Sequence, residues 1–302
     1  MATETARTAS VVRIWLMAAR PRTLPAAVAP VLVGTALAGF GHVFHPLRFL
    51  AALLGAIFIQ VGTNLSNDYS DARRGADAED RLGPVRVTAG GLVPPRQVLV
   101  STYVTFGLAV LAGVYLVVVA GWVLLLVGAA SILAGVAYTA GPRPYGYEGF
   151  GEAFVFLFFG LVAVTGSFFV EVRHLNWEAF ALAVPVGLLA AAILVVNNVR
   201  DIDSDRRAAK RTLAVRLGRA RTQTMFATIV YLAYLLVPVT WLLGPTTAWV
   251  LLPWLTLPLA AGVVRLVRNQ TDGPSLNRAL AQSGMLQLAF CVLLATGLLL
   301  SR

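Results

Sequence analysis

The sequence predicts an all-α, multi-span membrane protein, with nine transmembrane helices around a central cavity and residues 1–302 forming a single domain. Three observations predict it. Hydrophobic residues make up 58% of the chain, charged residues only 13%, and the mean hydropathy is +0.77. A soluble globular protein carries about 25% charged residues. The apolar residues fall into nine runs, each near the roughly 20 residues that a helix needs to cross a bilayer. The cations between those runs keep almost entirely to one side.

The runs are Leu24–Gly41, Phe49–Leu65, Val98–Val119, Trp122–Ala140, Phe150–Val170, Ala179–Val196, Thr224–Leu243, Thr247–Leu266 and Leu280–Leu300. Only Ala120-Gly121 parts the third from the fourth, which makes them a tight hairpin. Residues 1–22 are polar and basic, and the first run lacks a small-residue cleavage end, so it reads as a retained span rather than a signal peptide. With the N-terminus inside, 21 of the 24 Lys and Arg residues lie on inner segments, and only Arg48, Arg173 and Arg302 lie outside. That is the positive-inside pattern. It accounts for the net charge of +10 without nucleic acid as a partner. It also sets both long inner loops, Ser66–Gln97 and Asn198–Gln223, on the cytoplasmic side of a cell membrane, with the C-terminus outside. The lone cysteine, Cys291, lies inside an apolar run and excludes a disulfide framework or thiolate cluster. His42, His45 and His174 fall on the outer side and read as surface residues.

The polar chemistry collects where two apolar runs reach the inner side. Asn197, Asp201 and Asp205 stand four residues apart, so a helix continuing through them projects all three from one face. Asn64, Asn67, Asp68 and Asp71 are spaced i, i+3, i+4, i+7 and form a second stripe. Gln60 lies one turn further back, Gly75 allows a turn, and Asp77 follows. Carboxylates at the mouth of a membrane helix are costly and usually functional, and a divalent cation reverses their mutual repulsion. Mg²⁺ takes oxygen ligands and typically uses a few carboxylates together with substrate phosphates. Two such stripes, each trailed by arginines, point to a binuclear Mg²⁺ site for a diphosphate. A single stripe reads equally as loop carboxylates neutralised by neighbouring arginines; its duplication favours binding. Spans one to four and five to eight each carry a stripe after their second helix, a weak internal duplication that would set the stripes face to face.

Around them, Lys210 and Arg211 are candidates for the phosphate oxygens, although an inner loop attracts cations whatever its function. Arg86 is the best such candidate in the first loop. Arg20 and Arg22 flank the mouth of span one, where they either anchor the chain to the membrane or meet an anionic substrate. Tyr138, Tyr145, Tyr147, Glu148 and Glu152 make the inner loop between spans four and five more polar than a hairpin requires. Asp203 points about 200° away from Asp201, which suits a solvated or supporting role. No P-loop, G-x-S-x-G or H-E-x-x-H motif occurs, and no covalent nucleophile is evident.

These residues resemble the UbiA-type membrane prenyltransferases. Asn67-Asp68-Tyr69-Ser70-Asp71 is similar to the start of that superfamily's first aspartate motif, and Asp201 to Asp205 to the second. The third acidic residue of the first motif comes at Asp77, six residues after Asp71 rather than four. That departure resembles the branch acting on 1,4-dihydroxy-2-naphthoate in menaquinone synthesis. So do Arg20-Pro21-Arg22-Thr23-Leu24, Gly83-Pro84-Val85-Arg86, the Tyr145–Glu152 loop and the Lys210–Gly218 run. The resemblance implies that Asn67, Asp71 and Asp77 face Asn197, Asp201 and Asp205 across two Mg²⁺ ions. It further implies transfer of a polyprenyl group from an all-trans polyprenyl diphosphate to the naphthoate, with Asp71, Asp201, Lys210 and Arg211 carrying the chemistry. Arg20, Arg22, Asn64, Arg86, Tyr138 and Tyr147 would hold substrates, and loss of CO₂ and diphosphate would give demethylmenaquinone. The same fold serves other acceptors, such as 4-hydroxybenzoate or homogentisate. A divalent-cation transporter is the non-enzymatic alternative; it calls for acids at mid-membrane and on the outer side, where only Glu171 and Glu178 occur.

Overall fold

The computed structural model describes residues 10–75, 82–83 and 85–302. Among them every regular element is helical, as a bilayer requires when each backbone polar group must be satisfied within its own segment. In chain order the helices are α1 (Val11–Ala19), α2 (Leu24–Phe40), α3 (Pro46–Arg73), α4 (Pro95–Ala120), α5 (Val123–Ala137), α6 (Gly151–Val172), α7 (Trp177–Arg207), α8 (Leu213–Leu217), α9 (Arg219–Leu243), α10 (Ala248–Asn269) and α11 (Gly273–Leu300). Eight helices are long and apolar enough to cross a membrane, the first of them running through α1 and α2. The ninth expected span is α5, which has only 15 residues. At 1.5 Å per residue it is about 22 Å long, because the chain leaves the helix at Tyr138 and folds back as a polar loop. The expected hairpin between α4 and α5 turns at Gly121, whose φ is 122°.

The core lies between α2, α7, α9, α10 and α11, where Leu182, Leu189, Phe226, Phe290 and Leu294 are almost fully buried. The helices α4 and α5 instead turn Val104, Leu111, Val118, Leu126 and Leu133 outward, faces that suit lipid. This is an integral membrane protein. Close approach substitutes for a hydrophobic driving force between the helices. A Cβ added at Gly160 of α6 would stand 2.5 Å from the Cα of Gly187 in α7.

Four local features escape a hydropathy reading. The polar N-terminal segment contains α1, whose Ala18 packs with Leu65, Val87, Val93 and Val98. The middle of α6, Phe156–Val162, is wound as a π-helix, a form that often marks functional sites. The first part of α10, Ala248–Thr256, is a 3₁₀-helix containing Pro253. Most consequential for function, α3 and α7 run well past their apolar ends, to Arg73 and Arg207. Both stripes are therefore helical throughout.

Candidate active site

A cavity of about 470 Å³ opens between α2, α3, α4, α5, α6 and α7. One face of α3 lines it, from Ala52 and Gly55 through Gln60 and Asn64 to Asn67 and Asp71, and α7 mirrors this from Ala190 and Ile193 to Asn197, Asp201 and Asp205. Each helix thus changes along a single face from apolar to amide to carboxylate. The two stripes meet at the polar end.

There Asp71, 1% exposed, is the hub of the first stripe. Its carboxylate accepts from the Tyr147 hydroxyl, pairs with Arg86 Nη2 at 2.8 Å and stands 3.8 Å from Lys210 Nζ. Lys210 also lies over the Tyr147 ring, 4.6 Å from its centroid. Arg86 reaches this point because Asp68 holds its loop: the backbone N–H groups of Val87 and Thr88 donate to the two Asp68 oxygens at 3.1 and 2.9 Å. The sequence places Asp68 among the expected metal ligands. Both its oxygens serve the loop, and it does not line the cavity.

The second stripe has a partner that the sequence reading counted only as a topological cation. Arg200 is 1% exposed. It clasps Asp201 with Nε at 2.8 Å and Nη2 at 2.6 Å, and donates to the side-chain oxygens of Asn197 and Asn277, each at 2.8 Å. Asn277 in turn donates to the Leu82 carbonyl oxygen at 2.9 Å. The signal was available: an arginine directly before Asp201 on a buried helix needs such a partner. Behind the stripes, Thr139 donates to Asn67 and Asn198 to Glu152, both at 2.8 Å.

Of the remaining expected residues, Arg20, Asn64, Tyr138, Tyr147, Asp205 and Lys210 line the cavity. Arg22 and Arg211 are exposed and do not. Arg22 turns outward from the 3₁₀ turn at Pro21–Thr23. Arg211 contributes backbone instead, its N–H donating to the Tyr147 carbonyl at 2.7 Å and its own carbonyl accepting from Arg216 Nε at 3.0 Å. Asp77 lies outside the described residues. Tyr145 stacks on Phe154 at 4.0 Å, and burial raises its phenol pKa. Asp203 is 62% exposed and pairs with Arg219 at 3.2 Å. His45, at the far end of the molecule, meets the buried Glu171 at 3.0 Å.

Among the described residues no three His, Cys, Asp or Glu side chains converge as a metal group, and Asp71 and Asp201 rest on cations. The donors at the polar end, the carboxylates of Asp71, Asp201 and Asp205 and the amides of Asn67 and Asn197, are hard oxygen ligands of the kind Mg²⁺ takes. The donor set therefore fits such an ion.

A helical membrane bundle whose cavity joins a charged, oxygen-rich end to a long apolar end is built for a lipid with an anionic head. The profile of the UbiA prenyltransferase family matches residues 27–285, and the chain belongs to that family. It is 41% identical over 284 residues to the 1,4-dihydroxy-2-naphthoate octaprenyltransferase of Mycobacterium tuberculosis, covering 94% of this chain and 96% of that one. It is 37% identical to the enzyme of the same name from Escherichia coli, with 95% and 96% covered. Among solved structures, a UbiA homolog from Archaeoglobus fulgidus bound to DMAPP and Mg²⁺ matches with a TM-score of 0.64 at 14% identity, over 93% of this chain and 98% of that one.

Proposed function

We propose that this chain, acting as a single integral-membrane domain, transfers a polyprenyl group from an all-trans polyprenyl diphosphate to 1,4-dihydroxy-2-naphthoate. The allylic C–O bond breaks, a C–C bond to the ring forms, and diphosphate and CO₂ leave. The product is demethylmenaquinone at the quinol level. The observation that carries this reading is the cavity's polarity, graded along both α3 and α7 from apolar lining to carboxylates. The enzymes named above, similar over almost the whole chain, supply the acceptor class.

Asn67, Asp71, Asn197, Asp201 and Asp205, with Asp77, would hold two Mg²⁺ ions, which when bound supply charge stabilisation for the departing diphosphate. Lys210 and Arg86 already stand at Asp71, and their positive charges are placed to bind phosphate oxygens and offset the charge that builds on them. Tyr147 orients both Asp71 and Lys210. The apolar walls, including Phe158, Phe159 and Ile193, keep water from the allylic cation. The enzyme sits in the cell membrane, with the N-terminus and both aspartate loops cytoplasmic and the C-terminus outside.

The test uses membranes from cells expressing the chain, supplied with Mg²⁺, a polyprenyl diphosphate, and 1,4-dihydroxy-2-naphthoate and 4-hydroxybenzoate in competition. A prenylated naphthoquinone lacking the carboxylate, seen by mass spectrometry, is the expected product. A prenyl-hydroxybenzoate that retains its carboxylate overturns the acceptor.

A further inference from the structure

About halfway along α3 the cavity wall carries a hydrogen-bonded cluster that the diphosphate end does not use. Thr23 Oγ1 donates its hydrogen to the Arg20 carbonyl oxygen at 2.9 Å. A hydroxyl has one hydrogen, so its remaining contacts must be acceptances, and it takes Gln60 Nε2 at 3.0 Å and Asn64 Nδ2 at 3.1 Å. Asn64 Nδ2 also donates to the Ala19 carbonyl at 2.9 Å. A backbone carbonyl can only accept, so the Ala19 contact fixes the Asn64 amide, and with the Thr23 hydrogen on the Arg20 carbonyl the Gln60 amide is assigned the same way. The N–H groups point at the junction of α1 and α2, and the two amide oxygens point away from it.

Gln60 Oε1 and Asn64 Oδ1 accept no hydrogen bond among the described residues. The two residues are only 8% and 4% exposed, and both line the cavity. Arg20 completes the wall. It holds a left-handed backbone conformation, φ 55°, which is uncommon for a non-glycine residue and collects at functional sites. Its side chain lines the same cavity. The wall therefore presents two hydrogen-bond acceptors beside a guanidinium. The complementary ligand offers hydroxyl donors next to an anion.

We infer that Gln60, Asn64 and Arg20 form the acceptor subsite and that Gln60 is its specificity-determining residue. The amide oxygens accept from the ring hydroxyls of a hydroxylated aromatic carboxylate, and Arg20 takes the carboxylate. This rests on the prenyl-transfer reading above and adds to it how the acceptor is chosen. Counted at 1.5 Å per residue, Gln60 is about 16 Å along α3 from Asp71. The subsite is thus separate from the diphosphate end, and the two substrates can be perturbed independently.

The test uses the full chain in detergent, with the concentration of each substrate varied in turn. Gln60→Leu removes the acceptor oxygen, and one hydrogen bond in a buried site corresponds to roughly a tenfold change in affinity. The expected result is a KM for 1,4-dihydroxy-2-naphthoate raised about tenfold, with the KM for the diphosphate changed less than about twofold. Thr23→Val releases both amides and should raise the same KM, whereas Thr23→Ser keeps the hub and should not. Binding of 1-hydroxy-2-naphthoate against its 1-methoxy ether needs no variant: the wild-type chain should prefer the hydroxyl by roughly tenfold, and Gln60→Leu should lose the preference. An unchanged acceptor KM, an equal rise in both KM values, or no hydroxyl preference in the wild type overturns the inference. A wild-type chain that prenylates no naphthoate overturns the parent reading instead, and the binding comparison still decides the subsite.

Discussion

Arg200 offers the sharpest test of how the second aspartate stripe is held. Its side chain is 1% exposed and that of Asp201 is 6% exposed, so solvent screens the pair little. Replacing Arg200 with Met keeps the volume and removes the guanidinium. The Asp201 carboxylate then stays buried without its two charge-assisted bonds, and Asn197 and Asn277 each lose a donor. Breaking one side of a buried pair costs roughly 3–5 kcal/mol, whereas removing both charges is often near neutral. Arg200→Met should therefore lower the unfolding temperature in detergent strongly, and adding Asp201→Asn should recover a large part of the loss. The assay is thermal unfolding of the wild type, both single variants and the double variant at one scan rate, read as a double-mutant cycle. A coupling of about 2 kcal/mol or more is expected. Additive losses would refute the reasoning, because they would show that Arg200 does not act through Asp201.

Other outcomes follow from the same geometry. Asp71→Asn and Asp201→Asn should each lower turnover at least about a hundredfold while the protein remains in the membrane; near-normal activity in either sinks the two-metal reading. Chelation of Mg²⁺ should stop the reaction, and added Mg²⁺ should restore it; turnover that survives chelation argues against a required divalent ion. Asp68→Ala should free the loop carrying Arg86 and raise the KM for the prenyl diphosphate several-fold, with the acceptor KM little changed. Gly160→Leu should drive a side chain into the α7 backbone at Gly187 and destabilise the bundle by roughly 1–3 kcal/mol or more, measured as a lower unfolding temperature.

The sequence alone determined the membrane class, the spans and the two polar stripes. A bilayer forces the backbone into helices, so hydropathy reads out the spans directly, and helical periodicity then places Asn64, Asn67 and Asp71, or Asn197, Asp201 and Asp205, on single faces. What spacing does not settle is which neighbour each side chain meets. Asp68 and Asp71 lie only about 60° apart around α3, yet one is turned to the backbone of Val87 and Thr88 and the other into the cavity. Arg86 and Arg211 looked alike as loop cations, and only the first lines the cavity. Arg200, counted by its charge, proved to be the buried clasp of Asp201, and Thr23 became the hub to which the Gln60 and Asn64 amides donate. These roles depend on contacts between residues far apart in the chain, and only the packed bundle decides them. Helix periodicity is local, whereas pairing of polar groups in a medium without water is a property of the whole fold.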